Sequence, residues 1–171
     1  MKSRIWSLLA VAAIVLTVGV QGSFADPVSL RVSSGAFSCT LLDNAVSASG
    51  GCSGSDGVAM VGVIAWATSV ADWAVTSNTG YGSTALGPGN LDLSFSGLHS
   101  GPAPSTLTIE FTQTFSSPAF PLYTLNIGGT VGNGQTVSYA AFIDNSNTAF
   151  GKPASGQIGS TLVFTTPGMF S

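Results

Sequence analysis

Apolar and polar residues alternate with period two along much of the chain, the spacing that puts one face of a β-strand on a core and the other in water. Across 106–115, Leu107, Ile109, Phe111 and Phe115 share one face, and Thr108, Glu110, Thr112 and Thr114 share the other. Val28, Leu30 and Val32 alternate with Ser29, Arg31 and Ser33, and Leu91, Leu93 and Phe95 with Asp92 and Ser94. Tyr123, Leu125 and Ile127 form a similar set, as do Val137, Tyr139, Ala141 and Ile143, and Leu162 with Phe164. Residues 61–67 and 72–77 read as two more strands joined by a turn near Ser69. A buried helix over 59–74 is disfavoured by β-branched Val61, Val63, Ile64, Val70 and Val75 and by the lack of caps.

The punctuation between these runs is that of turns. Asn133-Gly134 separates two alternating segments, a strong short hairpin signal because both residue types tolerate positive φ; it predicts that 122–131 pairs with 136–144. Gly101-Pro102-Ala103-Pro104 and Ser117-Pro118 bracket the 106–115 strand, and Gly87-Pro88-Gly89-Asn90 precedes the Leu91 strand. Strands at intervals of roughly 8–15 residues, with no helical period between them, predict an all-β fold. The expected architecture is an antiparallel β-sandwich, Ig-like or jelly-roll-like, in a single domain.

The first 25 residues have a different character. Lys2 and Arg4 precede an apolar run from Leu8 to Leu16 that continues through Val20, and Ser23-Phe24-Ala25 supplies small residues at the positions a signal peptidase reads. Residues 1–25 are therefore expected to be a signal peptide rather than an uncleaved anchor, leaving a secreted domain over 26–171. No second long apolar run follows, so the mature chain is expected to carry no transmembrane segment.

Composition narrows the function classes. Charged residues make up only 6% of 171 residues, whereas Ser and Thr contribute 25 and 17, so the polar surface must be built from hydroxyls and amides. Such a composition excludes a coiled coil and a charge-rich disordered tail. An isoelectric point near 4.5 excludes a basic nucleic-acid binder. Beyond Ala25, Arg31 and Lys152 stand against seven acids, a formal charge of −5. Cys39 and Cys52 both lie in this part, and an exported pair most simply forms a disulfide. The ring is short, worth on the order of 3 kcal/mol, and encloses a small polar segment that the bond would pin.

Candidate chemistry is sparse. His99, the single histidine, lies in Gly97-Leu98-His99-Ser100-Gly101, and no Gly-x-Ser-x-Gly elbow accompanies it. Glu110 is the single glutamate, and the aspartates fall mostly in turns: Asp43-Asn44, Asp56-Gly57 and Asp144-Asn145. A calcium loop over Asp144-Asn145-Ser146-Asn147 lacks the glycine and closing glutamate of an EF-hand. Gly80-Tyr81-Gly82-Ser83-Thr84-Ala85 fits a relaxed dinucleotide fingerprint, but Leu86-Gly87-Pro88-Gly89 follows and no helix can start there. The expectation is a protein without catalytic residues, cofactor or metal. Trp66, Trp73 and Tyr81 are the aromatics that could contact a glycan if they are exposed rather than packed in the core.

Asp72-Trp73-Ala74-Val75-Thr76 with Thr79-Gly80, then Leu91-Asp92-Leu93-Ser94 and Leu107-Thr108-Ile109-Glu110-Phe111-Thr112, resembles the body of the PEP-CTERM class of bacterial exported proteins. The likeness continues through Tyr123-Thr124-Leu125-Asn126-Ile127-Gly128-Gly129-Thr130, Val137-Ser138-Tyr139-Ala140-Ala141-Phe142-Ile143-Asp144 and Asn147-Thr148-Ala149-Phe150-Gly151. It spans roughly 57–151 and rests on order and spacing. The resemblance implies a Gram-negative exoprotein from organisms that make exopolysaccharide. Members of that class end in a Val-Pro-Glu-Pro type motif, an apolar span and a basic cluster. This chain ends Thr165-Thr166-Pro167-Gly168-Met169-Phe170-Ser171, which leaves open a longer reading frame or a free secreted relative, and no functional residue carries over.

The expected role is thus a surface or matrix-associated structural protein, with exopolysaccharide or other matrix components as partners and no nucleic acid. An extracellular glycan-binding module and a pilus-type subunit are the alternatives.

Overall fold

The computed structural model describes residues 28–82, 91–114 and 126–171, apart from the side chains of 76–79. The signal-peptide reading of 1–25 lies outside the described residues, as do Tyr123, Leu125 and Phe115. Among the described residues the chain is all-β, with antiparallel sheets and a single 3-10 turn at Ala154–Gly156.

The strands are β1 (Val28–Ser34), β2 (Phe37–Leu42), β3 (Val63–Val70), β4 (Trp73–Tyr81), β5 (Asp92–His99), β6 (Thr108–Gln113), β7 (Gly129–Val131), β8 (Val137–Phe142), β9 (Gln157–Phe164) and β10 (Gly168–Phe170). They form two three-stranded sheets, β2-β1-β6 and β3-β4-β5, and two strand pairs, β10-β7 and β8-β9.

The core sits where the two larger sheets meet. β1 is the central strand of its sheet, and Val28, Leu30 and Val32 on its inner face are completely buried. They pack with Cys39 and Leu41 of β2, Ile64, Trp66 and Val70 of β3, and Val75 of β4. Leu93, Leu107, Ile109 and Phe111 close around this cluster, on the face that the alternation in 106–115 predicts. Each fully buried aliphatic side chain is worth about 1.5–3 kcal/mol as an upper figure, so this one cluster outweighs any polar contact in the molecule.

Two tight hairpins end the sheets on one side. Ser34 faces Phe37 across Gly35-Ala36, and Gly35 takes φ +58°, the left-handed first position that a type II′ turn requires. Val70 faces Trp73 across Ala71-Asp72. The β3–β4 turn is therefore at Ala71-Asp72 and not near Ser69, because Ser69 stays in register opposite Ala74.

The Asn133-Gly134 hairpin is corrected. β7 pairs with β10 near the chain's end, and β8 pairs with β9. The Gln135 N–H donates to the Gly132 carbonyl at 3.2 Å, and of the two central residues only Gly134 is left-handed, at φ +69°. That is the type II pattern, whose twist splays the flanking strands instead of continuing them as a ladder. Ile127, expected within a strand, precedes β7 in irregular backbone.

The β8–β9 connection folds back onto the outer face of the β2-β1-β6 sheet. Ile143 N–H donates to the Gly156 carbonyl at 2.8 Å, and Phe150 N–H donates to Thr112 Oγ1 at 3.3 Å. The Arg31 guanidinium lies 4.2 Å over the Phe150 ring.

Candidate functional site

Cys39 and Cys52 are bonded to each other, with Cα atoms 5.9 Å apart. Cys39 is buried in β2, so the bond fixes the 43–62 connection against the core. Side chains complete the fixing. Asp56 accepts from the N–H groups of Asn44, Val58 and Ala65 at 2.9–3.1 Å, and Asp43 accepts from Gly62 N–H at 2.8 Å. Burial pushes the Asp43 carboxyl above its ordinary range, the Gly62 bond opposes this and neighbouring Asp56 adds to it. These two aspartates serve the turns, as sequence alone suggested.

The strap covers Trp66. Its indole N–H donates to the Ser53 carbonyl at 3.0 Å and the residue is only 2% exposed. A methyl group at Gly54, φ +102°, would sit 2.7 Å from the indole nitrogen, so glycine lets the strap close on the ring. Trp66 is a core residue and offers no ring face to a ligand.

Trp73 and Tyr81, the other two aromatics singled out, are half-buried at opposite ends of β4. Eight residue steps along a strand separate them by roughly 26 Å, so they cannot form one platform. Tyr81 is paired between Val63 and Asp92. Trp73 is the cross-strand partner of His99, their rings 4.9 Å apart and tilted by 44°. His99 Nε2 is buried without a hydrogen-bond partner. The Trp73 indole N–H donates to Ser105 Oγ at 2.7 Å.

That bond ties Trp73 to an open groove of about 470 Å³ at the hairpin end of the sheets. Its apolar wall is Ala36, Phe37, Ala71 and Pro104; Ser105 and Thr106 supply exposed hydroxyls, and the buried Ser34 also lines it. Phe37 is 64% exposed. It shares the inward parity of Cys39 and Leu41, but it stands at the strand's end, past the reach of the facing core. Sequence reasoning missed it. The available signal was the Gly35-Ala36 turn immediately before it, which puts the next residue at the rim.

Charge is concentrated elsewhere. Glu110 on β6 receives Arg31 Nε at 2.6 Å and pairs with Lys152 Nζ. Burial alone would raise its pKa, yet the bonds from Arg31 and Lys152 hold it below the usual value. The calcium reading of 144–147 finds a different use for its carboxylate: Asp144 Oδ1 accepts from Ser146 N–H at 2.9 Å and from Ser146 Oγ at 2.6 Å, which lowers its pKa. This is an Asx turn. Among the described residues no three His, Cys, Asp or Glu side chains converge as metal ligands. Gly80 and Tyr81 belong to β4, while Ser83-Thr84-Ala85 of the fingerprint lie outside the described residues.

No helix among the described residues is long and apolar enough to cross a membrane. Comparison with protein-family models, with curated proteins and with solved structures finds no match to this chain.

Proposed function

We propose that this chain is an exported, non-enzymatic structural protein of the bacterial cell exterior, with the two larger sheets as a β-sandwich, working on or within a surface matrix. The observation that carries the reading is the Cys39–Cys52 bond, since disulfides persist in oxidising compartments and are rare in the cytosol. The signal-like residues 1–25 and the resemblance to PEP-CTERM exoproteins support it. So does a composition rich in hydroxyls, with 25 Ser and 17 Thr against few charges.

Fractionation of a Gram-negative host expressing the full chain tests this. The expected outcome is protein outside the inner membrane, shortened at its N-terminus, with both cysteines refractory to thiol labelling before reduction. Protein retained in the cytoplasm with free thiols overturns it. Hydrolase activity that disappears in His99→Ala overturns its non-enzymatic part.

A further inference from the structure

We infer that the groove at the hairpin end of the sheets binds a neutral saccharide, with Phe37 as the stacking surface and Ser105 and Thr106 as hydrogen-bonding groups. This goes beyond the structural role proposed above and does not depend on where the protein resides.

The groove is shallow and open to solvent, a shape that suits one sugar ring laid on an aromatic face more than an enclosed small molecule. Its walls are held in place before any ligand arrives. The Ser34–Phe37 and Val70–Trp73 pairs close two-residue turns, and the indole bond to Ser105 fixes the third wall. Little ordering cost remains on binding. Ala71 is left-handed at φ +47°, a conformation costly for a residue with a Cβ, and such strain gathers at ligand-binding positions.

The chemistry fits a sugar ring. Its C–H face is apolar and its rim carries hydroxyls; Phe37 offers an exposed aromatic surface beside the exposed hydroxyl side chains of Ser105 and Thr106. Ser105 Oγ accepts from the indole and so retains its own proton to donate.

Charge decides which sugars. Among the described residues no ionisable side chain lines the groove, and Arg31 and Lys152, the two cations beyond residue 25, are both held by Glu110. Nothing in the groove neutralises a uronic acid or a sulfate ester, and the aspartates set a field that repels them. An extended peptide is the poorer fit, because only Phe37, the first residue of edge strand β2, belongs to a strand edge there, and the other lining residues lie in turns, in the loop before β6 or at the end of the central strand β1.

Calorimetric titration with cellohexaose, laminarihexaose and maltohexaose, read in parallel by tryptophan fluorescence, tests the site. At least one should bind saturably, with a fluorescence change from Trp73. Phe37→Ala should weaken that binding by about tenfold or more, Phe37→Tyr should retain it, and Leu98→Ala, outside the groove, should leave it unchanged. Phe37 is largely exposed, so its truncation leaves the core intact, and Thr106→Glu provides a second, charge-based probe expected to weaken binding. Absence of saturable binding to all three oligosaccharides overturns the inference. So does binding insensitive to both Phe37→Ala and Thr106→Glu, or stronger binding of hexagalacturonate or of an uncharged hexapeptide.

Discussion

Glu110 shows how one residue can organise the charge of a whole chain. Its side chain is 12% exposed, while those of its partners Arg31 and Lys152 are 32% and 48% exposed, so the pairs are only partly screened by solvent. Its folded pKa lies below the ordinary glutamate value of 4.5. A depressed carboxylate contributes stability that is fully present above the unfolded pKa and lost as pH falls through the folded one. Urea denaturation should therefore show stability falling below about pH 4.5, and Glu110→Gln should flatten that limb while costing about 1–2 kcal/mol at pH 7. Asp43 has the opposite sign. Burial raises its pKa above 3.8, so its ionisation disfavours the folded state as pH rises through that raised value. Ala71 offers a third test at this scale. Its left-handed backbone costs more than glycine would, and Ala71→Gly should raise stability by about 0.5–1 kcal/mol in thermal unfolding.

At the scale of elements, the disulfide and the aspartate bonds make the 43–62 strap a unit that the hydrophobic pattern alone would not form. Cys39→Ser/Cys52→Ser should lose on the order of 3 kcal/mol, and hydrogen exchange should show the Ala48 and Asp56 amides opening before those of β1. The strands legible in the sequence were those with clean alternation: β1, β5, β6, β8 and β9 carry it, and so, in outline, do β3 and β4. β2 went unmarked although Phe37-Ser38-Cys39-Thr40-Leu41 alternates, because its inward Cys39 reads first as chemistry. The β7–β10 pairing was not readable, since three-residue strands about 38 positions apart carry too little pattern. Asn133-Gly134 marked a turn correctly, and whether that turn closes a hairpin depends on a sign of φ that residue identity leaves free. Of the candidate site, Trp73 was legible and Phe37 was not, because exposure at a strand's end is set by how far the facing sheet extends.

Among the described residues the molecule is held by the apolar core between the larger sheets, a smaller cluster of Tyr139, Phe164 and Phe170 rings, a disulfide and very few charges. Low charge leaves little repulsion between copies, and β9, whose residues are mostly open, exposes Leu162 on one face and Val163 on the other. Leu162→Lys/Val163→Lys should reduce self-association, read as lower light scattering near pH 4.5, the isoelectric region of the chain.

The ion pairs at Glu110 also bear on durability. Enzymes that cut after lysine or arginine find two such residues between positions 26 and 171. Arg31 lies in the central strand of its sheet, hydrogen-bonded on both sides; Lys152 is followed by Pro153, a bond those enzymes do not cleave. A folded chain with this arrangement gives trypsin-like proteases no usable site across that span, and a protein that outlasts them can persist where its neighbours are digested.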